Sequence, residues 1–195
     1  MRVRNLILAL VIISCAVLLF ISVDSKPSES TVLMNHMKHS FKISHLDEVR
    51  GKMVEIKNFS VEKYVELLKE LKDQQDTQIK YNVIYAGMCK KDVVIQNELI
   101  SLYKSEKAEN VKKVILLALG EYETEETLKL FEEALTSDNQ VLSQAALSSL
   151  AKLNRESKDP NNRATNILKE SEAKIKSEEI RNDIKHILGE VGNEE

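Results

Sequence analysis

Two columns of aliphatic residues recur along this chain in one register. Leu67, Leu99, Leu130 and Leu168 are separated by 32, 31 and 38 residues, and Ile79, Val111, Leu142 and Ile180 by the same three intervals. Independent helices have no reason to keep two columns in step. A repeated supersecondary unit does, because each copy buries the same positions against its neighbours. Around the columns one pattern returns: an apolar pair, a short polar turn, then an aliphatic residue opening a second helix. The last interval is longer because a polar stretch with Pro160, Asn154 to Asn162, is added between helices.

Apolar spacing of three and four marks each segment as helical. The expected pairs are 61–72 with 77–89, 93–104 with 109–121, 125–136 with 140–153, and 162–176 with 178–190. Ser60 is placed to cap the first of these helices, with Phe59 and Tyr64 at hydrophobic-staple positions. Asp76, Asn139 and Ser177 precede the second helices, and Asp92 and Asn161 serve first helices. Ala108 is the exception, since it has no side-chain acceptor. Five glycines and two prolines among 195 residues leave too little punctuation for a turn-rich β-sandwich or barrel, so the fold class is all-α. Two cysteines, Cys15 and Cys89, exclude a disulfide framework.

The repeats resemble the HEAT family, especially its bacterial type with a V-R-x-x-A-A-x-A-L-G-x-L helix. Val111 to Tyr122 reads VKKVILLALGEY, matching at Val111, Ala118, Leu119 and Gly120. Ile180 to Val191 matches at Ile180, Arg181, Leu188 and Gly189; Leu142 to Leu153 keeps Ala146 and Leu150, with Ala151 replacing glycine. Ile79 to Lys90 is the weakest copy, with Gly87 one place early. The resemblance covers residues 59–195 and implies a short α-α superhelix of about four hairpins. It also implies that second helices line a concave surface. Lys80, Lys112, Lys113, Arg181 and Lys185 would then form a basic track for a protein or peptide, with Tyr85 and His186 as further contacts. By the same pattern, these cations instead pair with turn acids such as Asp138 and staple the repeats.

Ahead of the repeats, Leu6 to Val23 contain no charge and follow Arg2 and Arg4. As a helix this run spans about 27 Å, near the thickness of a hydrocarbon core. It is read as an uncleaved anchor with the N-terminus cytoplasmic and the body extracytoplasmic. A cleaved signal that leaves a secreted or periplasmic body is the second reading. Lipidation at Cys15, within Ile12-Ile13-Ser14-Cys15, is the third. Residues 1–25 are therefore the anchor or signal and residues 26–58 a tether without a clean period.

Within the tether, His36, His39 and His45 interleave with Met34 and Met37, a set of donors suited to copper. Cys89 beside Lys90 and Lys91 is a candidate nucleophile, against which stands a small half-buried thiol. Glu121, Glu123, Glu125, Glu126, Glu132 and Glu133 offer carboxylates for acid–base or cation chemistry, or a solvated helix face. No phosphate loop, zinc-protease or nucleophile-elbow motif is present in the sequence. Twenty-eight basic against thirty-one acidic residues give no excess to attract nucleic acid. The expectation is a non-enzymatic, membrane-anchored scaffold with no cofactor and no identified small-molecule substrate. Its alternatives are an exported metal-binding protein using 34–45, or an accessory of the bilin-lyase type, which the resemblance brings in.

Overall fold

The computed structural model describes residues 46–88, 90–157 and 162–189. Among these residues every regular element is an α-helix: α1 (Leu46–Lys57), α2 (Val61–Glu70), α3 (Thr77–Gly87), α4 (Val93–Ser105), α5 (Glu109–Leu119), α6 (Glu125–Leu135), α7 (Gln140–Glu156), α8 (Arg163–Glu172) and α9 (Glu178–Leu188). None of them is long and apolar enough to cross a membrane, and the apolar run Leu6–Val23 lies outside the described residues.

The helices begin where their caps dictate. Ser60, Asp76, Asp92, Asn139 and Ser177 each accept a backbone N–H of the helix that follows. Asn162, not Asn161, caps α8, accepting from the N–H of Thr165 at 2.8 Å. Thr124 and Thr127 form a reciprocal capping box at α6. The last helix stops at Gly189, whose φ of 72° suits a residue without a Cβ.

The helices alternate between two layers. In one, α1 packs on α3, α3 on α5, α5 on α7 and α7 on α9. In the other, α2 packs on α4 and α6 on α8. Each helix of the second group pairs with the one after it in sequence, as α4 does with α5 and α6 with α7. The two repeating columns are the seam between layers: Leu67, Leu99, Leu130, Leu168, Ile79, Val111 and Ile180 are all buried, and Leu142 packs partly buried against them. One cluster of apolar side chains runs from Ile56 to Ile184. Removing such surface from water, at about 25 cal/mol per Å², is the main drive for stacking, since no hairpin covers its own stripe.

The segment expected to be a tether, 26–58, contains a helix at its C-terminal end. α1 takes a place in the same layer as α3, and Ile56 is fully buried there. Lys90 holds its end from the second hairpin's side: Nζ donates to the carbonyls of Lys57 at 2.9 Å and Phe59 at 2.6 Å. These carbonyls would otherwise be orphaned at the helix terminus.

Candidate partner-binding face

The second helices α3, α5, α7 and α9 carry equivalent residues one place after the opening aliphatic: Lys80, Lys112, Ser143 and Arg181. The structure gives this column work inside the fold. Lys80 is buried and its Nζ lies 2.6 Å from Glu106 Oε2, with side-chain exposures of 10% and 6%. Ser143 Oγ donates to the carbonyls of Ala134 at 3.0 Å and Ser137 at 3.2 Å. Arg181 Nη1 donates to the carbonyl of Ile175 at 2.7 Å. Lys112 stands over the Tyr103 ring, 5.0 Å from its centre, a cation–π contact. Burial, and then Glu133, raise the Tyr103 pKa and keep the phenol neutral beneath that cation.

Ala108 gives α5 no side-chain cap, and Glu106 instead orders the turn that leads into the helix. Its Oε1 accepts the N–H groups of Lys107 at 2.8 Å and Ala108 at 2.9 Å, just ahead of α5. Burial disfavours the Glu106 charge, but Lys80 and these two N–H groups outweigh it, so its pKa is lowered. One carboxylate thus joins the helix start of the second hairpin to a cation of the first. Sequence reasoning did not find it; its signal is an acid two places before an apolar residue where a cap is due.

The glutamate cluster is also spent between hairpins. Glu121 pairs with Lys152 and, at 3.2 Å, with Lys91. Burial again opposes the charge, and the two lysines overcome it to lower the pKa. Glu125 pairs with Arg163, Glu126 with Lys104 at 2.9 Å, and Glu132 with Lys174 at 3.1 Å. Glu123 and Glu133 are exposed. Asp138, named as a partner for the second-helix arginine, pairs with Lys176 at 2.7 Å instead.

With Lys80 and Arg181 occupied, the expected basic track is not continuous. Lys113 is exposed and makes no ion pair among the described residues; Lys185 lies 3.7 Å from Glu172. Tyr85 is 47% exposed and stacks on Tyr81 with centroids 6.1 Å apart. Lys113, Lys185 and Tyr85 sit on three different helices, and Lys112 faces Tyr103.

A different set of residues does converge. α7 and α9 run parallel: Gln140 Nε2 donates to Glu179 Oε2 at 3.2 Å and Gln144 Nε2 to Asp183 Oδ2 at 3.5 Å, both 39 residues apart. Beyond these bonds the two helices part into an open groove of about 390 Å³. Leu147 and Ala151 form a buried apolar floor, with half-buried Ile187 beside them. Arg155 and His186 are exposed at its rim, and Asp183 stands at the other end. The comparable groove on the other layer, between α6 and α8, measures about 410 Å³, but its Glu125 and Arg163 already pair. The α7–α9 groove therefore offers apolar area together with uncommitted positive charge. Arg155 went unnoticed in the sequence because it lies after the repeated helix pattern, at the end of the longest helix.

His36, His39, His45, Cys15 and Cys89 lie outside the described residues. Among the described residues no group of three or more His, Cys, Asp or Glu side chains could hold a metal. No protein-family model matches the chain, and no characterised protein or solved structure is significantly similar to it.

Proposed function

We propose that this protein is a non-enzymatic scaffold of HEAT-like helical repeats. Its N-terminal apolar run anchors it in a membrane, and its second-helix face receives a protein partner. The observation that carries this reading is the α7–α9 groove, where a buried apolar floor adjoins Arg155 and His186. Apolar area supplies affinity, while rim charge selects the partner and speeds encounter. The complementary ligand is a peptide segment placing an aliphatic side chain beside an acidic one. A surface built on packed helices loses little entropy when it binds, which favours recognition over chemistry. Lys113 and Lys185 extend positive charge along the same layer, whereas Lys80 and Arg181 support it from beneath.

The test uses the full-length chain expressed in its own host. A benzophenone photo-crosslinker replaces Ser148, which lines the groove, or Val94, which is 48% exposed on α4 in the other layer. The reading predicts an adduct with another protein from Ser148, lost in Arg155→Glu, and none from Val94. Equal adducts from both positions, or none from Ser148, would contradict it.

A further inference from the structure

We propose that the α7–α9 groove receives an amphipathic α-helix of the partner protein, lying antiparallel to both groove helices, with its acidic first turn at Arg155 and its basic last turn at Asp183. The helix fills the site that the scaffold reading assigns to a partner, and depends on that reading. The two ends of the groove differ in charge. Glu178 and Glu179 stand in the first turn of α9 and Asp183 one turn further on, whereas Arg155 lies in the last turn of α7 and His186 in the last turn of α9. Because α7 and α9 run parallel, the acids gather at one mouth and the basic groups at the other.

The walls favour a helix over an extended chain. Both are helices whose backbone groups bond within themselves, so neither offers a strand edge to pair with an incoming peptide. The polar side chains of the groove are also engaged: Ser148 Oγ donates to the Gln144 carbonyl at 2.8 Å, and Gln144 Nε2 reaches Asp183 Oδ2 at 3.5 Å. An extended peptide laid on Leu147, Ala151 and Ile187 would bury N–H and C=O groups with nothing to receive them. A helix satisfies those groups itself and presents an apolar stripe. From Gln144 to Arg155 the groove follows α7 for about 16 Å, about three turns, enough for aliphatic anchors at i, i+4 and i+7.

Charge sets the direction. Acidic residues are favoured in the first turn of a helix and basic ones in the last, because they complement its dipole. A ligand helix with that pattern matches this groove only when it runs against α7 and α9. Its acids then meet Arg155 and His186, and its bases meet Asp183 and Glu179. In that direction its dipole also opposes those of the two walls. A parallel helix would set acid against Asp183 and base against Arg155, and like charges so placed reject a partner of the wrong polarity.

The probes are fluorescein-labelled synthetic peptides, titrated against the full-length protein and read by anisotropy. One carries glutamates in its first turn, leucines at helical spacing and lysines in its last turn. A second exchanges the two charged ends, and a third keeps the first sequence with a central proline. We expect the first to bind roughly ten-fold tighter than the second, and at least about ten-fold tighter than the third. Arg155→Glu with Asp183→Lys exchanges the ends of the groove and should invert the preference between the first two. Equal binding of those two, a proline peptide that binds as well as the first, an unaltered preference in the double variant, or no binding of the first overturns the proposal. The Ser148 photo-adduct separates this failure from that of the scaffold reading. A protein adduct found while the peptide test fails keeps the groove as the partner face and discards the helical ligand, whereas failure of both removes the groove itself.

Discussion

Lys80 reaches from the first regular hairpin to Glu106, 2.6 Å away in the turn of the next, and Glu106 in turn holds the Lys107 and Ala108 N–H groups of the turn that leads into α5. A cation that looks like part of a binding surface in the sequence thus sets the register between two repeats. The distinction matters for function, since it separates charges consumed by the fold from those left for a partner.

Removing one member of this pair leaves the other buried and uncompensated. Lys80→Met should cost about 3 kcal/mol in urea unfolding. Glu106→Gln keeps an acceptor for the Lys107 and Ala108 N–H groups while removing the charge. The double variant should therefore be more stable than the sum of the two single losses, by about 2 kcal/mol. Strict additivity would show that the pair contributes only as two separate residues.

Acid should weaken the fold through the same carboxylates. Glu106 and Glu121 both have pKa values lowered in the folded state from an ordinary 4.5, after burial has been overcome by lysine pairing. As pH falls through that ordinary value the unfolded chain takes up protons that the folded chain resists. The stabilisation is thus present above it and is lost as pH descends through the lowered folded values. Urea midpoints measured from about pH 7 to about pH 3 should fall steeply at the acid end, and less steeply in Glu106→Gln and Glu121→Gln. Parallel acid limbs in all three proteins would contradict this.

Gly87 should be irreplaceable for a packing reason. A Cβ there would overlap the ring of Tyr64, a fully buried side chain whose hydroxyl donates towards the carbonyls of Val83 at 3.3 Å and Ile84 at 3.4 Å. Tyr64 has no room to retreat, so Gly87→Ala should cost about 3 kcal/mol. At Gly120 a Cβ would sit 3.0 Å from Ser149 Oγ, 3.1 Å from its Cβ and 3.1 Å from the Leu117 carbonyl, a tighter fit than usual but without the overlap found at Gly87. Gly120→Ala should cost about 1 kcal/mol. Thermal or urea unfolding of the two variants checks the ranking.

How much of this was legible in the sequence depends on the range of the interaction. Local rules located the helices, because an acceptor at Asp76, Asp92, Asn139 or Ser177 contacts an N–H only two or three residues ahead. At α8 two adjacent asparagines offered the same chemistry, and the choice of Asn162 over Asn161 was invisible to a spacing argument. α1 was missed because Thr31 to Asn58 has no sustained period and Ile56 is buried by a partner about thirty residues away. The cation column had two readings from spacing alone; deciding required knowing that Glu106 approaches Lys80 across a turn. Arg155 and His186 are brought together only by the parallel packing of α7 and α9.

Two sets of cations have separate jobs in this fold, and stability and partner capture measured together tell them apart. The urea midpoint and the yield of the Ser148 photo-adduct are compared in the parent, Lys80→Met and Arg155→Glu proteins. Arg155→Glu should lose the adduct with a midpoint close to the parent, because its side chain is exposed at the groove. Lys80→Met should lower the midpoint yet keep the adduct under conditions where it remains folded. Loss of the adduct in Lys80→Met while folded, together with full retention in Arg155→Glu, would contradict the assignment.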